Sequence, residues 1–305
     1  MTFCQKFGNI IIGVDMLNEL EILRKKVLKK LLIWFSLFLI AGLCLIILSQ
    51  QIGVFIIIFG FVISLIINTK DINSFKRLYK EKIVLVALNQ VCTDIEYDMN
   101  KGMNREIIAN TNMMRMGDRF RSNDLIKGKY HNISFEMSDI IIEDESTDSD
   151  GNETYYKLFQ GQWFIFDFNK RFKANFQIYS KNFTNVKRGS LFAKKEERFK
   201  KIELEDVEFN NLFKVYAQNQ LDAFYVLTPN TMEKIKELNN KIKGKLLFCF
   251  IDNKLHIGLD NNQDFFEVSL FKKIDIDKSI NKTNQEISII TNFVDILSLN
   301  NDLFI

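Results

Sequence analysis

One proline, Pro229, stands in 305 residues. That excludes a collagen-like chain and a proline-rich linker protein. Cysteine is almost as scarce. Cys4, Cys44, Cys92 and Cys249 are scattered and form no C-x-x-C pair, so neither a disulfide scaffold nor a multi-zinc protein is expected. Buried free thiols in a reducing compartment are the plain reading. The two histidines, His131 and His256, fall in different predicted hairpins with no cysteine or carboxylate at ligand spacing. Structural roles therefore outweigh a metal site. No G-x-S-x-G elbow and no P-loop occurs, so acyl transfer and phosphate cradling have no visible apparatus. No cofactor and no catalytic residue is assigned.

Charge is missing altogether from residues 31–69. Residues 1–30 carry net +3, residues 70–82 again +3, and residues 83–305 net −3. The positive charge flanks the uncharged block, and the long C-terminal part is mildly acidic. Such a surface is a poor general binder of nucleic acid. What remains is 47% hydrophobic and 26% charged, an ordinary globular mix that excludes wholesale disorder.

The uncharged block reads as two membrane spans. Leu31 to Leu48 is almost purely apolar, Ser49, Gln50 and Gln51 interrupt it, and Ile52 to Ile67 follows. A bilayer core takes about 20 apolar residues per crossing, so one helix through the whole block is too long. The polar residues and Gly53 mark a turn between two helices. Arg24, Lys25, Lys26, Lys29 and Lys30 precede the first span; Lys70, Lys76, Arg77, Lys80 and Lys82 follow the second. The positive-inside rule then places both ends in the cytoplasm. Residues 15–30 have helical spacing through Met16, Leu20, Leu23 and Val27. An amphipathic lead-in on the cytoplasmic face and a continuation of the first span fit them equally.

Beyond the spans, residues 72–100 and 103–114 read as helix, and strands follow Gly117. The SDGN tetrad at 149–152 predicts a hairpin turn. QLDAFYVLT, residues 220–228, reads as a strand. Thr228-Pro229 starts a helix to about Lys243. LLFCFIDNKLHIGLD forms a second hairpin, and 277–299 a last helix. The expected fold class is α+β: an N-terminal two-helix transmembrane hairpin followed by a mainly antiparallel cytoplasmic α+β domain. The divisions are a lead-in at 1–30, a hairpin at 31–68 with spans 31–49 and 52–68, and a domain at 71–305.

Four stretches together resemble a bacterial membrane protein family catalogued as domain of unknown function 3137. They are Gly117 to Asp124 with Gly128; Phe159, Gly161 and Phe166 to Lys170; Leu204 to Tyr216; and Tyr225 to Glu233 followed by the hairpin around Asn253. The resemblance covers about residues 72–273 and implies paired N-terminal spans with a cytoplasmic domain; no activity comes with it. Gln162-Trp163 departs from the family's second glycine step. Asn219 and Phe224 stand where the family has an acidic residue and an arginine.

Three groups are candidate sites. Asp118, Arg119 and Arg121 form a recognition loop suited to carboxylate or phosphate, against a plain turn with arginines paired to the acidic surface. Asp167 and Lys170 end an aromatic strand, as a binding pair or as a solvated turn. Lys194, Lys195, Arg198, Lys200 and Lys201 belong to a stretch, 185–201, of net +5, either in contact with anionic lipid or merely solvated. The acidic run Glu143 to Glu153 fails the EF-hand spacing, because Gly151 at the sixth position puts Ser146 first and Lys157 last. The expected function is an integral, membrane-anchored cytoplasmic binding or scaffold module, multi-pass in the inner or plasma membrane with both termini cytoplasmic. Its expected partners are the membrane and another membrane or cytoplasmic protein, with no nucleic acid. The alternative is an enzyme with one pocket near Asp118, Arg119 and Asp167.

Overall fold

The structure is a computed structural model that describes residues 14–167, 175–187, 199–297 and 299. It divides into two compact units. The first takes the chain to Ala87 and adds Phe266–Asn284; the second takes Leu88–Phe265 and the chain from Gln285 onward.

In the first unit, α1 (Val14–Ile46) and α2 (Gln50–Ile67) form an antiparallel pair. Both are long and apolar enough to cross a membrane, over Asn18–Ile46 and Gln50–Ile67. Neither proline nor glycine interrupts residues 14–41, so helix propensity carries α1 through the basic stretch without a break. The lead-in and the first span are one helix. The α1–α2 contact is backbone-close: a Cβ on Gly60 would meet Phe38, and one on Gly53 would meet Ile46. Phe35 packs edge-on against Phe61 at 5.5 Å. Small residues at such crossings let helix backbones approach closely. α3 (Thr69–Tyr79) continues through a π-helical turn, Lys80–Val84, into α4 (Leu85–Val91). Lys80 is buried there, and its Nζ lies 3.0 Å from Glu267, which also meets Lys76 at 2.7 Å. The two ammonium groups hold the Glu267 carboxyl below its ordinary value against the opposing effect of burial.

The second unit is built on a nine-stranded sheet among the described residues, in the order β1-β2-β3-β4-β9-β8-β5-β7-β6. Its strands are β1 (Thr93–Asp98), β2 (Arg119–Tyr130), β3 (Ile133–Thr147), β4 (Glu153–Asp167), β5 (Phe176–Ser180), β6 (Lys200–Ile202), β7 (Phe213–Ala217), β8 (Lys245–Ile251) and β9 (Lys254–Asp260). Every neighbouring pair is antiparallel. The helices are α5 (Arg105–Ala109), α6 (Val207–Leu212), α7 (Gln220–Val226), α8 (Pro229–Lys241) and α9 (Ile276–Leu297). Apolar residues line both sheet faces. On one, Phe293 of α9 meets Phe164 and Phe166, with ring centres 5.1 and 6.1 Å away. On the other, Trp163, Phe159, Tyr179 and Cys249 pack with Ile108, Met113 and Met114.

The α+β class holds, with two apolar N-terminal helices followed by a mainly antiparallel sheet. Several element readings change. Helix ends at Val91 instead of 100, and Thr93–Asp98 becomes β1 because β2 offers it backbone partners, Tyr97 opposite Ile126. The helix expected over 103–114 shrinks to α5. The strand expected at 220–228 is instead α7, started by Asn219, whose side chain accepts from the Leu221 amide at 3.1 Å.

Candidate functional site

The Gly117 loop enters β2 with Gly117 at φ 57. A Cβ there would run into the Glu143 carbonyl, so the left-handed turn and the close approach both require glycine. The Asp118 amide donates to that carbonyl at 3.0 Å. Asp118 in turn accepts from the Glu145 amide at 2.9 Å. That bond, a hydrogen bond shared with Asp144 and the charge of Arg105 hold the Asp118 carboxyl below its ordinary value.

An open cleft of about 510 Å³ lies here, lined by Arg105, Asp118, Arg119, Phe120, Arg121 and Glu143. Its charged side chains already have partners in the fold. The Arg119 guanidinium sits over the Tyr155 ring, 3.4 Å from the centroid, a cation–π geometry. Arg121 donates to Glu143 at 2.9 Å, and Arg105 donates to the Gly117 carbonyl at 2.6 Å. The Tyr155 hydroxyl donates to Glu153 and is pushed up to about 12, chiefly by that bond.

Asp167 is not part of this cleft. It ends β4 opposite Lys254, its carboxylate 3.6 Å from the ammonium, and lines a separate cavity of about 210 Å³ with Asp94, Glu96, Lys127, Lys129 and Glu136. β3 runs past both clefts, with Glu143 beside Arg119 and Phe135 beside Phe166. Eight residues of strand separate the two levels, roughly 26 Å. A single pocket near Asp118, Arg119 and Asp167 is therefore not formed, because β4 is long enough to carry its two ends apart. Lys170, Lys194, Lys195 and Arg198 lie outside the described residues. Lys200 and Lys201 fall in β6, last in the sheet order, and Lys201 pairs with Glu203 at 3.0 Å. Lysines on an outermost strand discourage pairing with another chain.

The acidic run forms the β3–β4 turn. Asp148 accepts from the amides of Asp150 and Asn152, bonding that holds its carboxyl below the ordinary value, Asn152 contributing most. Among the described residues no three His, Cys, Asp or Glu side chains are grouped to hold a metal ion. His256 is buried and its Nδ1 accepts from Trp163 Nε1–H at 3.3 Å. Burial, with Lys254 adding, lowers it to about 4. Burial raises the Cys92 thiol to about 12 and the Cys249 thiol well above its usual value, the reverse of a reactive thiolate.

No motif singles out a polar network buried in the sheet. Asp139 accepts from Gln162 Nε2 and from the Phe265 amide, both at 2.9 Å. Gln162 also donates to the Gln263 carbonyl at 2.7 Å and accepts from Asn261 at 2.9 Å. Burial lifts the Asp139 carboxyl well above its ordinary value. The only hint is an aspartate set in the apolar run M-S-D-I-I-I. The network ties the loop after β9 to the sheet.

Residues 157–299 match the model of the family described as Protein of unknown function (DUF3137). This bears out the family resemblance over that stretch. The DUF3137 match starts within β4 and runs through α9, so it takes in Gln162, Asn219 and the β8–β9 hairpin but not the Gly117–Asp124 motif. No curated protein and no solved structure matches the chain.

Proposed function

We propose that this chain is an integral membrane protein of a bacterial inner or plasma membrane. Its helix pair is the anchor, both ends of the pair are cytoplasmic, and its α+β part binds another protein. One observation carries the anchoring. Leu37, Ile40, Leu43, Phe55, Ile58 and Phe59 are exposed on two helices without a charge between residues 31 and 69. Lipid is the solvent in which such a surface costs nothing, and helices satisfy their own backbone there. The lysines and arginines at both ends support the orientation.

The binding role is supported by the exposed apolar residues Leu221 and Phe224 on α7, with Val207 on α6. The clefts at Arg119 and Asp167 lend the enzyme reading no comparable support, since Arg119 is taken up by the Tyr155 ring, Arg121 by Glu143 and Asp167 by Lys254.

Cysteine accessibility in intact cells tests the anchoring. An impermeant maleimide should label Gln51→Cys, and should label Asp150→Cys only after permeabilisation. Labelling of Asp150→Cys in intact cells overturns the orientation, and release of the chain by alkaline carbonate overturns the anchoring. A photo-crosslinker at position 221 should yield one discrete protein adduct; its absence overturns the partner reading.

A further inference from the structure

The cations of the first unit divide into those the protein neutralises and those it leaves to something else. Arg24 takes both oxygens of Glu21, at 2.7 and 2.8 Å, and donates to the Leu270 carbonyl at 3.0 Å. Lys30 pairs with Asp71 at 2.7 Å, Arg77 with Glu81 at 2.7 Å, and Lys76 and Lys80 share Glu267. Among the described residues Lys25 and Lys29 form no ion pair; nor do Lys26, Lys70, Lys82, Lys272 and Lys273, but only Lys25 and Lys29 line an apolar strip on α1. Lys25 feels Glu21 only at longer range, because Arg24 occupies that carboxylate.

Lys25 and Lys29 also share a helix face with an apolar strip. A shallow, open depression on one face of α1 is lined by Lys25, Leu28, Lys29, Leu32, Ile33 and Ser36. The order along the helix is cationic first and apolar after, and the change falls at residue 31, where the uncharged block starts. From Lys25 to Ser36 the helix rises about 16 Å. That is about the depth from a headgroup to the middle of the bilayer, whose hydrocarbon core is ~30 Å thick. Ser36 returns its hydroxyl to the Ile33 carbonyl at 2.8 Å, so the lower part of the strip presents no unmet polar group.

From this arrangement we infer that α1 carries a site for one phospholipid with a net negative headgroup. Its phosphate would lie between the ammonium groups of Lys25 and Lys29, and an acyl chain would run over Leu28, Leu32 and Ile33. Charge complementarity chooses the occupant: the two lysines one turn apart on this face favour an anion, and the apolar strip below them favours hydrocarbon. The inference rests on the membrane reading above, since only a bilayer presents both at one boundary.

The test uses the full chain in nanodiscs of equimolar phosphatidylglycerol and phosphatidylcholine, with native mass spectrometry of the lipids that stay bound after detergent extraction. Phosphatidylglycerol should be retained in preference. The Lys25→Gln/Lys29→Gln variant should lose that preference by roughly tenfold or more, as expected for two lysines near a phosphate. A second variant, Lys272→Gln/Lys273→Gln, removes two exposed lysines of the same unit that do not line the strip. It should change the preference by less than about twofold, the effect of diffuse attraction alone. Equal losses in the two variants, or equal retention of the two lipids by the parent chain, overturn the site. A chain that enters the discs without preference defeats this inference alone; one that does not enter defeats the membrane reading and the site together.

Discussion

Apolar side chains are plentiful in both units, but the helix pair of the first turns most of its own outward and the sheet of the second turns its own inward. On the helix pair, Ile40 is 60% exposed and Phe55 64%; in the sheet, Trp163, Phe164 and Phe248 are fully buried. The helix pair is held by glycine-mediated approach and rings meeting edge-on. The sheet is held by a packed interior on two faces. The same residue types thus do opposite work because their surroundings differ, and substitutions should separate the two regimes. The largest effect belongs to the packed interior. Phe248→Ala should lower the stability of the second unit by about 3–5 kcal/mol, the cost of a large buried ring plus its cavity. Ile40→Ala should cost less than about 0.5 kcal/mol, as at an exposed site. Denaturant titration in detergent measures both, and equal losses would break the comparison.

Overpacking gives the next largest effect, this time in the first unit. Gly60→Val places a branched side chain where Phe38 already sits. The α1–α2 contact should weaken by about 1–3 kcal/mol, read as earlier separation of the helices in a dodecyl sulfate titration. Gly151→Val is the contrast. A side chain at Gly151 meets open space, but its φ of 82 is strained for any other residue. That substitution should strain the β3–β4 turn and leave the helix pair untouched.

How much of this was legible in the sequence follows from where the deciding contacts lie. The helix pair is legible because a run without charge is a local property. Thr228-Pro229 is legible because cap chemistry sits within four residues, and Thr228 does accept from the Thr231 amide at 3.2 Å. β1 is illegible because its partner strand begins beyond Gly117. α7 is illegible because A-F-Y-V-L-T favours a strand, while Asn219 decides for a helix. The Gly117 loop places Asp118, Arg119 and Arg121 together, as adjacency requires. The distance to Asp167 depends on the length of β4, which no motif states. The Asp139 network joins residues 23, 101 and 126 positions apart, and only the folded sheet brings them together.

Acid should distinguish the units by a similar amount. His256 is held at about 4 in the fold by burial, with Lys254 adding, against about 6.5 in an unfolded chain. The unfolded state therefore takes up the proton first, and the histidine's contribution to stability is lost as pH falls from 6.5 toward 4. Between pH 7 and 5 the loss should be about 2 kcal/mol. Asp139 acts with the opposite sign. Burial raises its carboxyl in the fold, so the fold takes up that proton at a higher pH than the unfolded chain and is favoured as pH falls. His256→Gln isolates the histidine, and the variant should show a flatter loss of stability over this range than the parent chain. The helix pair, uncharged from 31 to 69, should separate in dodecyl sulfate at the same point at pH 7 and pH 5. A pH-dependent helix pair would remove this distinction.

The smallest difference lies at the helix starts. Ser49 opens α2 with extended backbone, but its side chain makes no cap bond. Asn68 likewise makes none for α3. In the second unit Asn104 makes none for α5 either, but Asp206 accepts from the Phe209 amide at 2.9 Å, and Asn219 and Thr228 cap α7 and α8 in the same way. A cap bond stabilises a helix start when water would otherwise compete for the amide, and its loss costs about 1 kcal/mol. Thr228→Ala should therefore lower the stability of the second unit by about 1 kcal/mol, with Pro229 still fixing the first helical residue. Ser49→Ala removes no bond to the backbone and should change the helix pair by no more than a few tenths of a kcal/mol. Paired denaturant and dodecyl sulfate titrations read the two effects. If Ser49→Ala proves the costlier, the turn between the helices is held by its hydroxyl, and the helix pair depends on more than glycine contacts and outward-facing apolar side chains.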